Sequence, residues 1–411
     1  MAWRFYDFAN SAFPTVIITA IYVTWFKNAV VGDAVPGASD RLWGTANAIG
    51  AALVFLCAPF LGALGDITGY RRAFFIAASV VCIVFTALLA TTGPGTVTSA
   101  MVFFILALWG FELACVFYNA FLPDLAAPGD MDRLSGSGWA LGYIGGLGAL
   151  ALCIPIALFA PAHVGHIPLV VALWFALFSL PAFVWLKGPP RTASTRDATR
   201  HARATLVRNW QQVRRHKGFL RFIAAYFFYE NATATIIVFA VAFSGDSLGF
   251  SLVENIALVA VMNLVAAPGA FVFGRIAERI GSRSTIVISL WMWLVAVAGA
   301  QLAVWPGLWT PATAKGLFWG VAALASACIG AIQASSRAYV GQVAPPQRSG
   351  EYFGFMAFAG KGSAIVGPLV FGLVSHAFAS QRAALLSTGL FFALGLVLMR
   401  RVPPSRDLEA R

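Results

Sequence analysis

Long apolar runs recur along the chain, and short polar segments separate each run from the next. A helix needs about 20 residues to cross the ~30 Å hydrocarbon core of a bilayer, and the runs are close to that length. The pattern therefore predicts twelve membrane-spanning helices. The predicted spans are residues 5–26, 42–65, 73–91, 99–122, 138–160, 168–187, 219–243, 253–276, 284–304, 314–337, 352–376 and 383–400.

The overall composition is that of a membrane protein. Of the 411 residues, 60% are hydrophobic and 11% are charged, and the mean hydropathy is +0.80. Soluble domains carry roughly 25% charged residues, so a soluble protein of this composition would have too little polar surface to face water. The first apolar run is longer than the apolar part of a cleavable signal peptide, and we interpret it as the first membrane helix.

Basic residues are concentrated in alternate loops, which predicts the topology. With the N-terminus in the cytoplasm, four of the 28 Lys and Arg residues lie in outer loops, one lies in a span and 23 lie inside. We therefore predict cytoplasmic termini and, because the loops are compact, a bacterial inner (cytoplasmic) membrane. The net charge of +12 follows from this asymmetry and from contact with anionic lipid, so no nucleic-acid partner is expected. The outer basic residues are Lys27, Arg41, Lys315 and Arg382.

No residue pattern indicates a cofactor, a metal or an enzyme. The five cysteines all fall inside spans and have no metal-binding or disulfide spacing. His163 and His166 share a loop without further ligands, so a metal site is not expected there. The sequence has no Gly-x-x-x-x-Gly-Lys-Ser/Thr loop, so ATP is not expected to drive the protein directly. We predict no cofactor and no catalytic residue, and we expect a monomer.

A polar stretch near residues 187–218 divides the spans into two sets of six. We predict an all-α membrane protein with an N-terminal six-helix bundle at 1–187, a cytoplasmic linker at 188–218 and a C-terminal six-helix bundle with a short tail at 219–411. Three apolar linker residues recur at helical spacing among arginines, which would suit a helix on the inner leaflet; a solvated linker is the alternative. These residues are Leu206, Trp210 and Val213.

The chain contains an internal repeat that supports this division. A loop of glycine, acid, glycine and arginine follows the second span and recurs after the eighth, with each residue 212 positions from its partner. The loop residues are Gly62, Asp66, Gly69 and Arg71 in the first half and Gly274, Glu278, Gly281 and Arg283 in the second. An offset of 214 pairs Asn119 with Gln333, Ser135 with Ser349, and Gly136 with Gly350. The sequence therefore predicts a duplicated six-helix unit.

The chemistry of the repeated loop suits a conformational switch. Glycine lets two helices turn tightly and approach closely. The acid can accept hydrogen bonds from a neighbouring helix N-terminus in one conformation and release them in another. The loop resembles the signature between helices 2 and 3 of the major facilitator superfamily. That resemblance implies two six-helix bundles that rock around a central site near the membrane midplane and give alternating access.

Six further stretches are similar to the vacuole-effluxer branch of that superfamily. The branch includes fungal autophagy-related vacuolar amino-acid exporters, so the resemblance implies efflux of amino acids or related compounds. The chain differs where the branch has a Tyr-Asn-Asp-Gly-like sequence: residues 229–232 are Tyr-Glu-Asn-Ala, which moves the acid by about 100° around a helix. The similar stretches are YDFANSAF (6–13), FYNAFLPDLA (117–126), LSGSGWALGYIGG (134–146), IQASSRAY (332–339), EYFGF (351–355) and GKGSAIVGPLVFG (360–372).

Acidic residues inside spans are the first candidates for transport chemistry. Glu112 lies near the middle of the fourth span and Glu230 near the middle of the seventh. Because an acid that faces lipid is costly, each is expected to line a cavity, pair with a cation or carry a proton. Such an acid could couple transport to protons or bind a substrate ammonium group. A structural pair with Arg337 or Lys361 is the alternative.

Amide and basic residues extend this candidate site. Asn119 lies seven residues after Glu112 and shares its helix face. Gln333 is the repeat partner of Asn119, and Arg337 follows one turn later, where it could bind a solute carboxylate or act as an ordinary anchor at the cytoplasmic end. Lys361 in the eleventh span has small neighbours that leave room for an amine facing a cavity.

A polar stripe opens the first span. Asp7, Asn10 and Ser11 fall at spacings of three and four residues, so they share one helix face. Pro14 removes a backbone donor just beyond them. This arrangement indicates a substrate path or an inner gate, with an interfacial cap as the alternative. Glycines at 136–148 in the fifth span loosely resemble the helix-5 signature of superfamily antiporters, without its proline, and favour export slightly.

The leading hypothesis is a secondary active transporter of small polar solutes, such as amino acids or related compounds. It would export by alternating access and couple to protons through Glu112 or Glu230. A second hypothesis is export of amphiphiles such as drugs or lipids, which an aromatic content of 14% would accommodate. A third is a non-transporting membrane sensor, which would require every internal acid to be paired.

Overall fold

The computed structural model describes residues 1–32, 37–188, 213, 216–378 and 380–405. Within these residues, twelve helices are long and apolar enough to cross a membrane, as the hydrophobic pattern predicted. The main helices are α1 (Ala2–Asn10), α2 (Ala38–Thr68), α3 (Arg71–Leu88), α4 (Val97–Ala120), α5 (Met131–Phe159), α6 (Ile167–Trp185), α7 (Lys217–Leu248), α8 (Leu252–Ile280), α9 (Ser282–Ala303), α10 (Pro311–Val343), α11 (Ser349–Phe378) and α12 (Gln381–Arg400).

The first span departs from regular α-helical geometry after Asn10. The backbone continues as a π-helix at Phe13–Ala20, one α-turn and a second π-helix at Phe26–Val31, so that the whole span covers Ala2–Val31. Pro14 lies at the start of the first π-helix and has no N–H group to donate. Such π segments are frequent at functional sites.

Several helices extend beyond the predicted spans. The α5 helix begins at Met131 rather than at 138, and α10 ends at Val343 rather than at 337. A hydropathy pattern detects only the apolar part of a helix, whereas the backbone hydrogen bonds continue into its polar ends. Polar caps contribute to these ends: in α8, Ser251 accepts from the backbone N–H of Glu254, and the Glu254 carboxylate accepts from that of Ser251.

Contacts between helices divide the chain into two compact units. The first unit consists of Met1–Asp124, the described part of Leu141–Arg203 and Pro346–Phe358; the second consists of Leu125–Ala140 and the described parts of Ala204–Pro345 and Ala359–Arg411. The beginning of α11 therefore belongs to the first unit, and the beginning of α5 to the second. The bundles at 1–187 and 219–411 stay a prediction. Most of the predicted linker, including Leu206 and Trp210, lies outside the described residues.

Aromatic side chains fill much of the core of each unit. In the first unit, Tyr6 is fully buried between Phe75 and Tyr118, with ring centroids 4.7 Å from each. In the second unit, Trp293 of α9 stacks on Phe392 of α12 at 4.8 Å. These aromatic contacts pack the helices of each unit against one another.

Candidate solute site and conformational joints

The repeated loop forms a buried polar network in the first unit, which we call the first joint. The carboxylate of Asp66 accepts hydrogen bonds from the backbone N–H groups of Gly350 (3.2 Å) and Glu351 (2.9 Å), at the beginning of α11. The first N–H groups of a helix have no partner within the helix, and the helix dipole favours a negative charge there. Asp66 thus links the end of α2 to the N-terminus of α11.

Arg71 occupies the centre of the first joint, and its side chain is fully buried. Its guanidinium donates to Asp66 (2.8 Å) and to Asp124 (2.6 Å). It also donates to two backbone carbonyls, those of Ala120 (3.1 Å) and Pro346 (2.9 Å). One arginine therefore joins α2, the end of α4 and the segment before α11, with two carboxylates to balance its charge.

Two glycines allow these helices to approach in the first joint. A Cβ atom added to Gly62 would overlap the carbonyl oxygen of Gly350, and one added to Gly350 would lie 2.7 Å from the carbonyl oxygen of Gly62. Gly69 ends α2 with a φ of 69°, a left-handed conformation that other residues rarely adopt. The structure therefore requires glycine at all three positions.

The second repeat forms a corresponding network in the second unit, the second joint. Gly274 of α8 approaches Gly136 of α5, where an added Cβ would lie 2.9 Å from the Gly136 Cα. The buried acid is Asp132, which accepts from Ser282 (2.8 Å) and Gln342 (2.7 Å). Sequence reasoning did not select these three residues.

The repeat acid and arginine of the second half lie outside that buried network. Glu278 has a side chain 32% exposed and pairs with Arg133 at 3.6 Å. Arg283 donates to the carbonyl of Arg400 (2.8 Å) at the end of α12. Gly281 has a φ of 85° and ends α8, as Gly69 ends α2. The structure therefore brings Asp66 and Arg71 together but does not bring Glu278 and Arg283 together.

Polar side chains also meet on the inner helices of the second unit. Gln333 of α10 donates to both oxygens of Glu230 on α7, at 3.0 and 3.2 Å. The next residue, Asn231, is fully buried, and neither atom of its amide has a hydrogen-bond partner among the described residues. It packs against Gly367 of α11 so closely that any side chain there would overlap it. Glu230 and Gln333 therefore form a polar pair inside apolar helices, and Asn231 adds a buried amide at the next position of α7.

Arg337 lies one turn beyond Gln333 and is almost fully buried. It donates to the hydroxyl (2.9 Å) and the backbone carbonyl (2.8 Å) of Ser135, and its guanidinium lies 5.5 Å from the ring of Trp139. These contacts differ from those of a solvated anchor at the membrane surface. Lys361 is part-buried on α11, on the same helix as Gly367.

The polar stripe of the first span packs against α4 and α5 in the first unit. Asn10 donates to the Cys115 sulfur at 3.9 Å. Cys115 lies three residues after Glu112 and four before Asn119, so these α4 residues share a face towards Asn10. Both Glu112 and Asn119 are part-buried, and Asp7 and Asn10 are buried.

Glycines of α5 pack closely against the polar stripe of the first span. A Cβ added to Gly142 would lie 2.9 Å from the Ser11 hydroxyl, and one added to Gly145 would overlap the backbone of Phe8. The glycines selected in the fifth span thus provide close helix packing around the polar stripe.

The fold is that of a major facilitator superfamily transporter. The human organic anion transporter MFSD10 (TETRAN) superposes with a TM-score of 0.74 and 18% identity, over 97% of each chain. The proton:xylose symporter XylE superposes with a TM-score of 0.76 and 13% identity, over 100% of this chain and 97% of that one. These two likenesses show the fold of the chain.

Sequence comparison shows the particular family. Residues 45–410 match the family described as "Vacuole effluxer Atg22 like", so the chain belongs to that family of effluxers. The uncharacterized MFS-type transporter YxiO of Bacillus subtilis is 27% identical over 99% of this chain and 95% of its own length. Autophagy-related protein 22-1 of Neosartorya fischeri is 25% identical over 67% of this chain, but the match spans only 48% of the fungal protein.

Proposed function

We propose that the protein exports small polar solutes, amino acids or related compounds, by alternating access coupled to protons. The observation that carries this proposal is the Glu230–Gln333 pair in the second unit, with the buried amide of Asn231 at the next position of α7. Glu230 can bind an ammonium group or exchange a proton, and the two amides supply neutral hydrogen bonds to a polar solute. A transporter of purely apolar compounds has no need for these costly buried groups.

The first unit supplies further candidate contacts. Asp7, Asn10 and Asn119 would form the path of the solute along the first span and α4, and Glu112 is the second candidate proton carrier. The π-helical backbone follows this stripe along the first span, and such segments are frequent at functional sites, which supports a gate here. Lys361 remains a candidate partner for a solute carboxylate.

The two joints would work as conformational locks. Asp66 holds the N-terminus of α11 and Arg71 holds three segments, so both networks must break before these helix ends separate. Arg337 is bound to Ser135 in the conformation described here, and we assign it to the second joint rather than to first contact with the solute. The repeat residues Glu278 and Arg283 would modulate this lock from its surface.

Orientation and assembly are part of the same proposal. We propose that both termini lie on the cytoplasmic side of a bacterial inner membrane, which the distribution of basic residues supports. We propose that the monomer is the transporting species, because each unit contains a complete polar network of its own.

Export of amphiphiles receives little support from cavity size. An apolar cavity in the second unit, lined by aromatic residues such as Phe239, Phe243 and Phe318, has a volume of about 60 Å³. Sites for drug-sized ligands usually enclose roughly 300–1,000 Å³. This cavity by itself is therefore too small for a drug-sized amphiphile.

Counterflow in proteoliposomes tests the proposal. Vesicles are loaded with a mixture of unlabelled amino acids, and uptake of labelled ones is measured with and without a pH gradient. We expect exchange by the wild type, and we expect Glu230→Gln to retain exchange but lose accumulation driven by the gradient. Glu112→Gln is measured in parallel, to show which of the two acids carries the proton.

Asp40→Asn is the matched control for the loss of a carboxylate. Asp40 lies in the first turn of α2, with a side chain 71% exposed and paired with Lys27. It should retain both exchange and accumulation. If the wild type exchanges no amino acid, the proposed substrate class is wrong; if both Gln variants accumulate normally, proton coupling through these acids is wrong.

A further inference from the structure

Four arginines lie at one end of the second unit, where α7 and α9 begin and α12 ends. Arg283 donates to the backbone carbonyl of Arg400 at 2.8 Å, and Arg221 donates to that of Arg401 at 3.5 Å. These two bonds satisfy carbonyls at the C-terminus of α12, which have no partner within the helix. We call Arg221, Arg283, Arg400 and Arg401 the arginine cluster.

The arginine cluster has no acidic partner among the described residues. None of its four side chains forms a salt bridge in the described part of the chain, and the Nε atom of Arg283 is buried without a hydrogen-bond partner there. Like charges at the same end of a helix bundle repel one another, more strongly near a low-dielectric membrane than in water. An anion bound among these arginines would relieve that repulsion and use their remaining donors.

An exposed apolar surface continues from the cluster along α9 and α12. The Arg400 guanidinium lies 5.5 Å from the ring of Trp291, which is 48% exposed and about 12 Å along α9 from Arg283. Exposed apolar residues follow at helical spacing on both helices, which pack against each other through Trp293 and Phe392. They are Ile288 and Val295 on α9 and Leu390, Leu394 and Val397 on α12.

We propose that this end of the second unit binds an anionic phospholipid. The arginine cluster would hold the phosphate, because the guanidinium fork matches phosphate geometry, and one acyl chain would lie along Trp291 and its apolar neighbours. Three membrane spans begin or end at the cluster, so its level in the bilayer is that of the lipid headgroups. The adjoining apolar surface distinguishes a lipid from free phosphate, which would use the arginines alone.

The corresponding place in the first unit provides a matched control. Arg72, at the beginning of α3, donates to the carbonyl of Phe183 near the end of α6 at 2.7 Å, as Arg283 does for α12. Lys187 follows α6 and Arg4 lies at the beginning of α1, so basic residues are also present at this place, but no described arginine there donates to a carbonyl from α1 as Arg221 does from α7. This place in the first unit therefore carries positive charge at a helix end but does not have the arginine cluster.

Native mass spectrometry of the full-length protein from nanodiscs tests the proposal, with phosphatidylglycerol and phosphatidylcholine present together. We expect the wild type to retain phosphatidylglycerol preferentially. Arg400→Gln with Arg401→Gln should weaken that preference about 10- to 30-fold, because each arginine near an anionic surface contributes on the order of a fivefold gain. Both substitutions keep the backbone carbonyls that Arg283 and Arg221 bind, so the end of α12 stays capped.

Three comparisons decide the outcome. Arg72→Gln with Lys187→Gln should leave the lipid preference within about twofold of the wild type; an equal loss would show that general charge explains the binding. Glycerophosphoglycerol and inorganic phosphate should not displace the lipid; displacement by either would overturn the role of the apolar surface. A wild type that retains both lipids equally would refute the site. A thermal unfolding curve for each variant confirms that it is folded.

Discussion

The two joints use the same backbone contact with different polar side chains. In both, a glycine of the repeated loop approaches a glycine of another helix: Gly62 approaches Gly350, and Gly274 approaches Gly136. Gly136 and Gly350 are themselves repeat partners, 214 positions apart. In both, a serine hydroxyl donates to a carbonyl of the neighbouring helix: Ser349 to Ala120 at 2.8 Å and Ser135 to Ala334 at 2.7 Å. The duplication therefore preserves how closely the helices approach.

The charged groups follow a different arrangement in each joint. The first joint centres on Arg71, between two carboxylates, whereas in the second Asp132 accepts from Ser282 and Gln342, and Arg337 donates to Ser135. The contacts of Arg283 resemble those of Arg72 rather than those of Arg71. Arg72 and Arg283 each donate to a backbone carbonyl near the C-terminal end of the last helix of their half. We infer that the two repeat arginines contribute unequally, because Arg71 is paired with two carboxylates and Arg283 donates to one backbone carbonyl. Substitutions at equivalent positions should therefore have unequal effects.

The largest expected difference is between Arg71→Gln and Arg283→Gln. Loss of Arg71 leaves the buried carboxylate of Asp66 without its cation, so the free energy of unfolding should fall by about 3–5 kcal/mol. Loss of Arg283 removes one hydrogen bond to a backbone carbonyl and should cost about 0.5–1.5 kcal/mol. Denaturant unfolding in detergent without added lipid measures both. Equal losses would contradict the unequal roles of the two arginines.

Asp66→Asn and Glu278→Gln compare the two repeat acids. Asn at 66 weakens two hydrogen bonds from the N-terminus of α11 and removes the pair with Arg71, which should cost about 1.5–3 kcal/mol. The Glu278 pair is partly exposed, so its loss should cost about 0–1 kcal/mol. The same unfolding measurement applies. If the Glu278 variant is as unstable as the Asp66 variant, the two acids contribute equally to stability and the expected difference is wrong.

Gly62→Ala tests the backbone contact that the joints share. The new methyl group would overlap the Gly350 carbonyl, which should cost about 1–3 kcal/mol and disfavour this conformation. Gly274→Ala should have an effect of similar size in the second joint. Gly44→Ala on the same helix, α2, is the control, because no atom lies within 4 Å of the added Cβ. If Gly62→Ala and Gly44→Ala have the same unfolding midpoint, the close approach of Gly62 to Gly350 does not contribute to stability.

Ser405→Ala should have the smallest effect. The hydroxyl of Ser405 donates to the Gln342 side-chain oxygen at 2.7 Å, and Gln342 in turn donates to Asp132. Loss of this outer bond should cost about 0.5–1.5 kcal/mol and leave the Asp132 contact in place. A larger loss of stability than that of Arg283→Gln would mean that the segment after α12 is an essential part of the second joint.

The sequence alone determined the twelve spans, the duplication and the polar residues inside the membrane. Each depends on local information, because a bilayer requires a long apolar helix wherever the chain crosses it. The same information placed the glycines of the repeated loop, since the loops were aligned residue by residue.

Only the tertiary structure decided which polar groups meet. Ser282 and Asp132 are 150 residues apart, and Gln333 and Glu230 are 103 residues apart, so neither bond can be derived from local spacing. The repeat alignment matched Arg283 with Arg71, but the packing of α9 against α12 directs Arg283 to a helix end. The physical reason is that hydrophobicity is a property of single residues, whereas a buried hydrogen bond depends on the helix rotations and separations that packing of the whole unit decides.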